Sequence, residues 1–149
     1  MSQITEYLIT IRRILKCQET ILKEISVEYA LTLTEATIIN FLHNNPGRDT
    51  AADIVELRML SKGHVSQAVE SLIQKSLLLR RQDTADRRKI HLSLTPAAQP
   101  IVQAIDRRWE QLHEKIFWGL SPEDQQSLVR INRQMMENLQ NVMKEGEEA

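Results

Sequence analysis

The sequence predicts a mostly α-helical fold with a small β-wing: a winged helix-turn-helix flanked by a helical dimerisation bundle. Three observations carry that prediction. Two short helix patterns stand on either side of a tight break at Arg58-Met59-Leu60. They are followed at once by two apolar strand segments around a polar, basic tip. Long amphipathic stretches occupy both ends of the chain. Composition agrees, because only four glycines and four prolines interrupt 149 residues, and good helix formers such as Leu, Gln, Glu and Lys abound.

Residues 4–29 form the first helix pattern. Ile4, Leu8, Ile11, Leu15, Leu22, Ile25 and Tyr29 recur at alternating four-three spacing, with Gln18 the polar member of the series. Tyr7, Ile14 and Ile21 widen the stripe on one flank. A face this broad is expected to be covered partly by its own subunit and partly by a second copy. Thr34 is the expected N-cap of the next helix, with Leu33 and Ile38 as a hydrophobic staple around it. Ile38, Ile39, Phe41 and Leu42 continue that helix to Asn44-Asn45-Pro46-Gly47, a strong stop.

The stretch from Thr50 to Thr95 is the expected reading unit. Thr50 with Asp53 three residues on opens a short helix to Leu57, since hydroxyl and carboxylate satisfy free amides at a helix start. Ser61 caps a second helix in which Val65, Val69, Leu72 and Ile73 recur through Lys75. Leu77-Leu78-Leu79 and the alternating Ile90, Leu92 and Leu94 read as two strands of a hairpin. Arg80 to Lys89 forms its tip. Helix-turn-helix followed by a basic hairpin describes a winged helix.

Beyond the wing, Thr95 as cap and Pro96 at the first helical position open a third long helix. Ile101, Ile105, Trp109, Leu112 and Ile116 mark its inner face, and Gly119 ends it. Ser121 and the acidic Glu123 and Asp124 start the last helix, which carries Leu128, Ile131, Met135, Leu139 and Val142 to about Met143. Lys144 to Ala149 is expected to fray. Trp109, Trp118, Met135 and Met136 are expected to serve as core packing rather than as lining for a ligand cavity.

Charge is distributed rather than balanced. Within residues 58–91, eight basic side chains (Arg58, Lys62, Lys75, Arg80, Arg81, Arg87, Arg88 and Lys89) face three acidic ones (Glu70, Asp83 and Asp86). This surplus of five positive charges sits in a chain of net −1, so the remainder is acidic by six. A basic reading unit on an acidic body points to nucleic acid. No apolar run reaches membrane-spanning length and Met1-Ser2-Gln3 does not begin a secretory signal, so no membrane partner is expected. The single cysteine, Cys17, excludes a disulfide framework and suits a reducing cytoplasm, the expected location. His43, His64, His91 and His113 have no metal-ligand spacing with Cys17, and no phosphate loop or nucleophile–base pair appears. No catalytic residue, cofactor or metal is therefore expected.

Asp83-x-x-Asp86-x-Arg88 followed by Leu92-Ser93-Leu94-Thr95 resembles the wing signature of the MarR family of winged-helix transcriptional regulators. Leu60-Ser61-Lys62, Val65-Ser66 and Leu72-Ile73-Gln74-Lys75 resemble the recognition helix of the same family, and the flanking helices extend the likeness over nearly the whole chain. The resemblance implies one MarR-like domain, with residues 30–95 as DNA-binding core and residues 1–29 and 96–149 as dimerisation helices. It also implies a homodimeric regulator, more often a repressor, of a pseudo-palindromic duplex, released by a small aromatic or anionic effector.

For the site, the helix opened by Ser61 is expected to enter the major groove. Its outward residues are Lys62, His64, Ser66, Gln67 and Glu70, because the apolar positions face inward. Gln67 suits a bidentate contact to adenine, Lys62 and His64 suit guanine acceptors or phosphates, and Ser61 and Ser66 suit phosphate oxygens. The resemblance places Arg88 in the minor groove with Asp86 orienting it, and Arg87 and Lys89 add phosphate contacts. Two positions depart from the family pattern: Gln67 stands where many members have arginine, and Ser76 where glycine is common. The alternatives are a winged helix used for protein contacts and a redox-sensing regulator acting through Cys17, beside which stand Lys16 and, farther on, Tyr29. An inert thiol is the commoner state of such a cysteine.

Overall fold

The structure, a computed structural model, describes residues 1–148. The chain forms two compact units, residues 1–110 and 111–149. The first holds helices α1 (Gln3–Glu28), α2 (Leu33–Asn44), α3 (Ala51–Arg58) and α4 (Lys62–Gln74), then strands β1 (Leu78–Gln82) and β2 (Ile90–Leu94). A 3-10 turn, Pro96–Ala98, leads into α5 (Gln99–Ile116), whose last turns pass into the second unit with α6 (Pro122–Glu148). This is the expected mostly helical fold with a small β-wing.

Helix α2 is the centre of the first unit. Seven consecutive residues, Glu35–Phe41, are buried, so this helix is enclosed on all sides rather than amphipathic. Its cap is Thr32, not Thr34. The Thr32 hydroxyl accepts from the Glu35 amide at 3.1 Å, and Glu35 Oε1 accepts from the Thr32 amide at 3.0 Å. Glu35 lies three residues after Thr32, and that spacing is what a reciprocal capping box requires. Helix α2 packs against α1, α4 and β2. The core of the unit holds Leu22 and Ile25 of α1, Ile54 of α3, Val65 and Leu72 of α4, Leu78 of β1, Leu92 of β2, and Ile101 and Ile105 of α5, all buried. Ala68 joins the inward face of α4, while Ile73 is only half-buried.

The hairpin pairs Leu78 with Leu94 and Gln82 with Ile90, so β1 reaches three residues farther into the expected tip than its apolar pattern showed. Arginine and glutamine at positions 80–82 hide the strand from a hydrophobicity pattern, because this part of it is exposed on both faces. The Leu92 amide also bonds the Asp49 carbonyl at 2.8 Å, tying β2 to the segment before α3. Ser76 takes φ +61°, the left-handed region where glycine is favoured. Thr95 does not cap a helix by its side chain. Its hydroxyl donates to the Ser76 carbonyl at 2.7 Å, which closes the base of the hairpin instead.

Only the C-terminal half of the α1 stripe is covered. Ile21, Leu22 and Ile25 are buried, while Ile4, Leu8, Ile11 and Leu15 are exposed. In the second unit, α6 is capped by Ser121, whose hydroxyl accepts from the Asp124 amide at 3.0 Å. It runs to Glu148, past the expected end at Met143; of the expected frayed tail, only Ala149 lies outside the described residues. Leu128, Ile131, Leu139 and Val142 are exposed along it. Core packing fails as an account of Trp118, which is 86% exposed, and of Trp109 and Met136, which are also exposed; Trp109 lines a cavity instead. Trp118 lies in the short turn before Gly119, outside either helix, where among the described residues no segment covers it.

Candidate nucleic-acid interface

The reading unit begins where α3 is capped by Thr50 and Asp53, each accepting from the other's backbone amide. Met59 then takes the left-handed conformation at φ +53°, which turns the chain within two residues into Ser61. The Ser61 hydroxyl accepts the His64 amide at 3.2 Å and starts α4. Val65, Ala68, Val69 and Leu72 bury one side of that helix. Consequently Ser61, Lys62, His64, Ser66 and Gln67 all lie exposed on the opposite side, joined there by Gly63 and Gln74. Glu70 also faces outward, but Arg80 of β1 pairs with it at 2.5 Å. The one carboxylate on the outer face of α4 is thereby neutralised before it can repel a phosphate.

Two groups hold α4 in place from behind. Glu35, buried in α2, accepts from Ser71 Oγ at 3.1 Å and from Lys75 Nζ at 2.9 Å. Burial acts to raise the Glu35 pKa, but the Thr32 amide, Lys75 and Ser71 outweigh it, and the carboxyl sits below its ordinary value. Lys75 also reaches the Ala30 carbonyl at 3.4 Å. The Thr32-x-x-Glu35 spacing was the signal for Glu35. Its second role, toward residues far along the chain, has no local signal.

The wing is organised by its aspartates. Asp83 Oδ2 accepts the amides of Ala85 and Asp86 at 2.9 and 2.7 Å, the pattern of an aspartate-closed turn. Asp86 Oδ1 then accepts the Arg88 amide at 3.0 Å. Asp86 therefore holds Arg88 through its backbone, and among the described residues no carboxylate lies within ion-pair distance of the Arg88 guanidinium. Arg87, Arg88 and Lys89 are all exposed at the tip, and Gln82 Nε2 donates to the Arg87 carbonyl at 2.9 Å. His91 joins two of the carboxylates: Nδ1 meets Asp49 Oδ1 and Nε2 meets Asp83 Oδ1, each at 2.7 Å. Hydrogen bonds accepted by Asp49 and then by Asp83 raise the His91 pKa, while the His91 bond and the Asp86 and Ala85 amides lower that of Asp83 to about 2. In the sequence His91 reads only as a histidine without metal-ligand spacing, because its two carboxylate partners give no local signal.

Cys17 is half-buried on α1. The Tyr29 hydroxyl donates instead to the Pro100 carbonyl at 3.4 Å. Twelve residues of helix separate the two side chains, roughly 18 Å along the axis.

A recognition helix with a polar outer face, followed by a basic wing built on paired aspartates, defines a winged-helix DNA-binding protein. Residues 31–89 match the model of the MarR family. The transcriptional regulator HosA of Escherichia coli O157:H7 is 24% identical over 106 residues, spanning 71% of this chain and 78% of that one. The fold is shared with a MarR family transcriptional regulator from Silicibacter pomeroyi, at TM-score 0.73 and 19% identity over 87% of this chain and 86% of the other. Bordetella bronchiseptica BpsR, whose DNA binding is regulated by 6-hydroxynicotinic acid, is 26% identical with TM-score 0.59, covering 91% of this chain and 99% of its own. Over residues 31–89, which hold α2, α3, α4 and most of the wing, the chain is thus similar to the MarR family of transcriptional regulators. Among the described residues, no helix is long and apolar enough to cross a membrane.

Proposed function

We propose that the protein is a homodimeric repressor that reads a pseudo-palindromic duplex and releases it when a small aromatic or anionic ligand binds. The observation that carries this reading is the sidedness of α4. One face is sealed into the core, and the other presents Lys62, His64, Ser66 and Gln67 to solvent ahead of a wing tipped by Arg87, Arg88 and Lys89. In the proposed complex the helix contacts base edges in the major groove. Ser61 and Ser66 bond phosphates, Arg88 enters the minor groove, and Arg87 and Lys89 neutralise the backbone.

Dimerisation supplies two such readers. The exposed stripe Ile4, Leu8, Ile11 and Leu15 of α1 and the exposed row Leu128, Ile131, Leu139 and Val142 of α6 are the surfaces that a second copy would cover. For the effector, the first unit contains a cavity of about 210 Å³ lined by Leu22, Asn40, Ile105, Asp106 and Trp109 among others. A dry apolar cavity of about 150 Å³ accommodates benzene, so one aromatic ring with polar substituents matches this volume and its amide lining. BpsR responds to a ligand of that chemical kind. The proposed location is the cytoplasm, where the target DNA is.

Selection from a random duplex library with purified protein at physiological salt tests the reading. Enrichment of a two-fold symmetric site, its half-sites about one helical turn apart, is the expected result. Salt-sensitive bulk binding with no enriched sequence would overturn it in favour of a protein-contact role.

A further inference from the structure

We propose that His91 is a positioning residue for the wing: as an imidazolium it latches Asp83 to Asp49 and holds the Arg88 loop in its DNA-reading shape, and loss of its proton opens the latch. This rests on the wing's role as a DNA contact.

The geometry requires the charged ring. Each imidazole nitrogen lies 2.7 Å from a carboxylate oxygen. A neutral imidazole has one N–H, and its other nitrogen carries a lone pair. Two ionised carboxylates only accept, so a neutral ring would set a lone pair against one of them at hydrogen-bond distance. Protonation converts both contacts into charge-assisted hydrogen bonds.

Both carboxylates belong to residues tied by their backbone: the Asp49 carbonyl accepts the Leu92 amide, and the Asp83 amide donates to the Lys89 carbonyl at 2.9 Å across the wing tip. Asp83 divides its two side-chain oxygens between tasks. Oδ1 takes His91, while Oδ2 takes the Ala85 and Asp86 amides, and Asp86 in turn takes the Arg88 amide. An unbroken relay of hydrogen bonds thus runs from the His91 ring to the backbone of the residue that enters the groove. The spacing Asp83-x-x-Asp86-x-Arg88 is the local half of this relay, and His91 connects it to the body of the reading unit.

The surrounding charges are mixed. Arg81 stands opposite His91 in the hairpin register, and Arg48, Asp53, Arg88 and Lys89 line the same cleft beside the start of α3. The four cations oppose a proton on His91, but among the described residues none bonds the ring, whereas the two carboxylates touch it directly. A phosphate backbone laid along the wing adds negative potential and favours the proton further, so proton uptake and DNA binding reinforce one another.

The sign follows. A histidine whose pKa is raised by its partners contributes its full stabilisation below the ordinary value near 6.5 and loses it as pH climbs through the raised value. DNA affinity should therefore fall on the alkaline side. The experiment measures fluorescence anisotropy of the library-selected duplex at constant ionic strength, from about pH 6 to about pH 9, with wild type, His91→Gln and Arg88→Ala. Glutamine can donate to one carboxylate and does not titrate. Wild-type affinity should drop on the order of tenfold across the range, and His91→Gln should be weaker at the acid end with a flatter profile. His64 and His43 remain in that variant, so parallel profiles for it and wild type would overturn the latch. A second measurement follows the His91 ring and the Ala85 and Asp86 amides of the free wild-type protein by NMR. The amides should shift with the His91 titration. Amides indifferent to it would overturn the latch without any variant or DNA. Should Arg88→Ala bind as tightly as wild type while the amides do follow His91, the wing's role in DNA reading fails and the proposal falls with it for that separate reason.

Discussion

Lys75, which follows the last residue of α4, donates its ammonium at 2.9 Å to Glu35, a carboxylate of the central helix that is 2% exposed. The contact ties the C-terminal end of the recognition helix to the N-terminal end of the core helix, and Ser71 shares the same carboxylate. The orientation of the outer face of α4 is thereby set from inside the domain, by a carboxylate that, among the described residues, forms an ion pair with Lys75 alone.

Glu35→Gln should destabilise the fold by about 1–3 kcal/mol, since the amide keeps the cap but loses the charge that Lys75 faces. Urea unfolding at neutral pH measures this. The Glu35 pKa lies below its ordinary value, so the stabilisation is complete above the unfolded-state pKa of about 4.3 and disappears as pH falls through the folded-state value. The difference between wild type and variant should therefore shrink on acidification. A difference that stays constant would remove the charge from the account.

Arg88→Ala should weaken binding of the selected duplex by about 1–3 kcal/mol, roughly 5- to 150-fold, without altering oligomeric state. Binding isotherms paired with light scattering give both quantities. Equal affinities would show that the exposed guanidinium takes no part.

In the proposed complex the wing contributes separately, through phosphate neutralisation. Log affinity should fall linearly with log salt, and Lys89→Ala should reduce that slope by about one while weakening all sequences alike. Titrations at several salt concentrations, with specific and scrambled duplexes, separate the two effects. A slope unchanged in the variant would take Lys89 off the phosphate backbone.

Ser76→Gly should stabilise the protein. Ser76 holds φ +61°, which costs an L-residue about 1 kcal/mol relative to glycine, partly offset by the added freedom of the unfolded chain. A gain of about 0.5 kcal/mol corresponds to a rise in Tm of about 1–2 °C for a protein of this size. A lower Tm would mean that the serine side chain contributes more than the strain removes.

Leu8→Glu should disrupt self-association, because Leu8 is exposed midway along the uncovered half of the α1 stripe. A charge there is nearly harmless in an isolated subunit and costly in a closed apolar interface. Sedimentation equilibrium should show the mass of a dimer for wild type and of a single chain for the variant. Equal masses would move the interface elsewhere.

What was legible in the sequence was local. The capping pairs Thr50–Asp53 and Ser61–His64, the four-three spacing of α1, and the alternation of Ile90, Leu92 and Leu94 depend on neighbours two to four positions away. Helical and strand geometry places such neighbours on one face regardless of the rest of the chain. The choice between Thr32 and Thr34 as cap was legible too, in the glutamate three residues after the former, but Thr34 looked equally suitable to a pattern based on hydrophobicity.

Tertiary structure alone decided the rest. Glu35 meets Ser71 and Lys75 across 36 and 40 residues, and His91 meets Asp49 across 42. It also decided which half of the α1 stripe is sealed and which is left bare, although the two halves read alike in the sequence. Contacts between distant residues are set by which helix faces pack together and by the need to satisfy each charge withdrawn from water. Periodicity specifies that a face is apolar. Only packing specifies what covers it, and which buried carboxylate answers which cation.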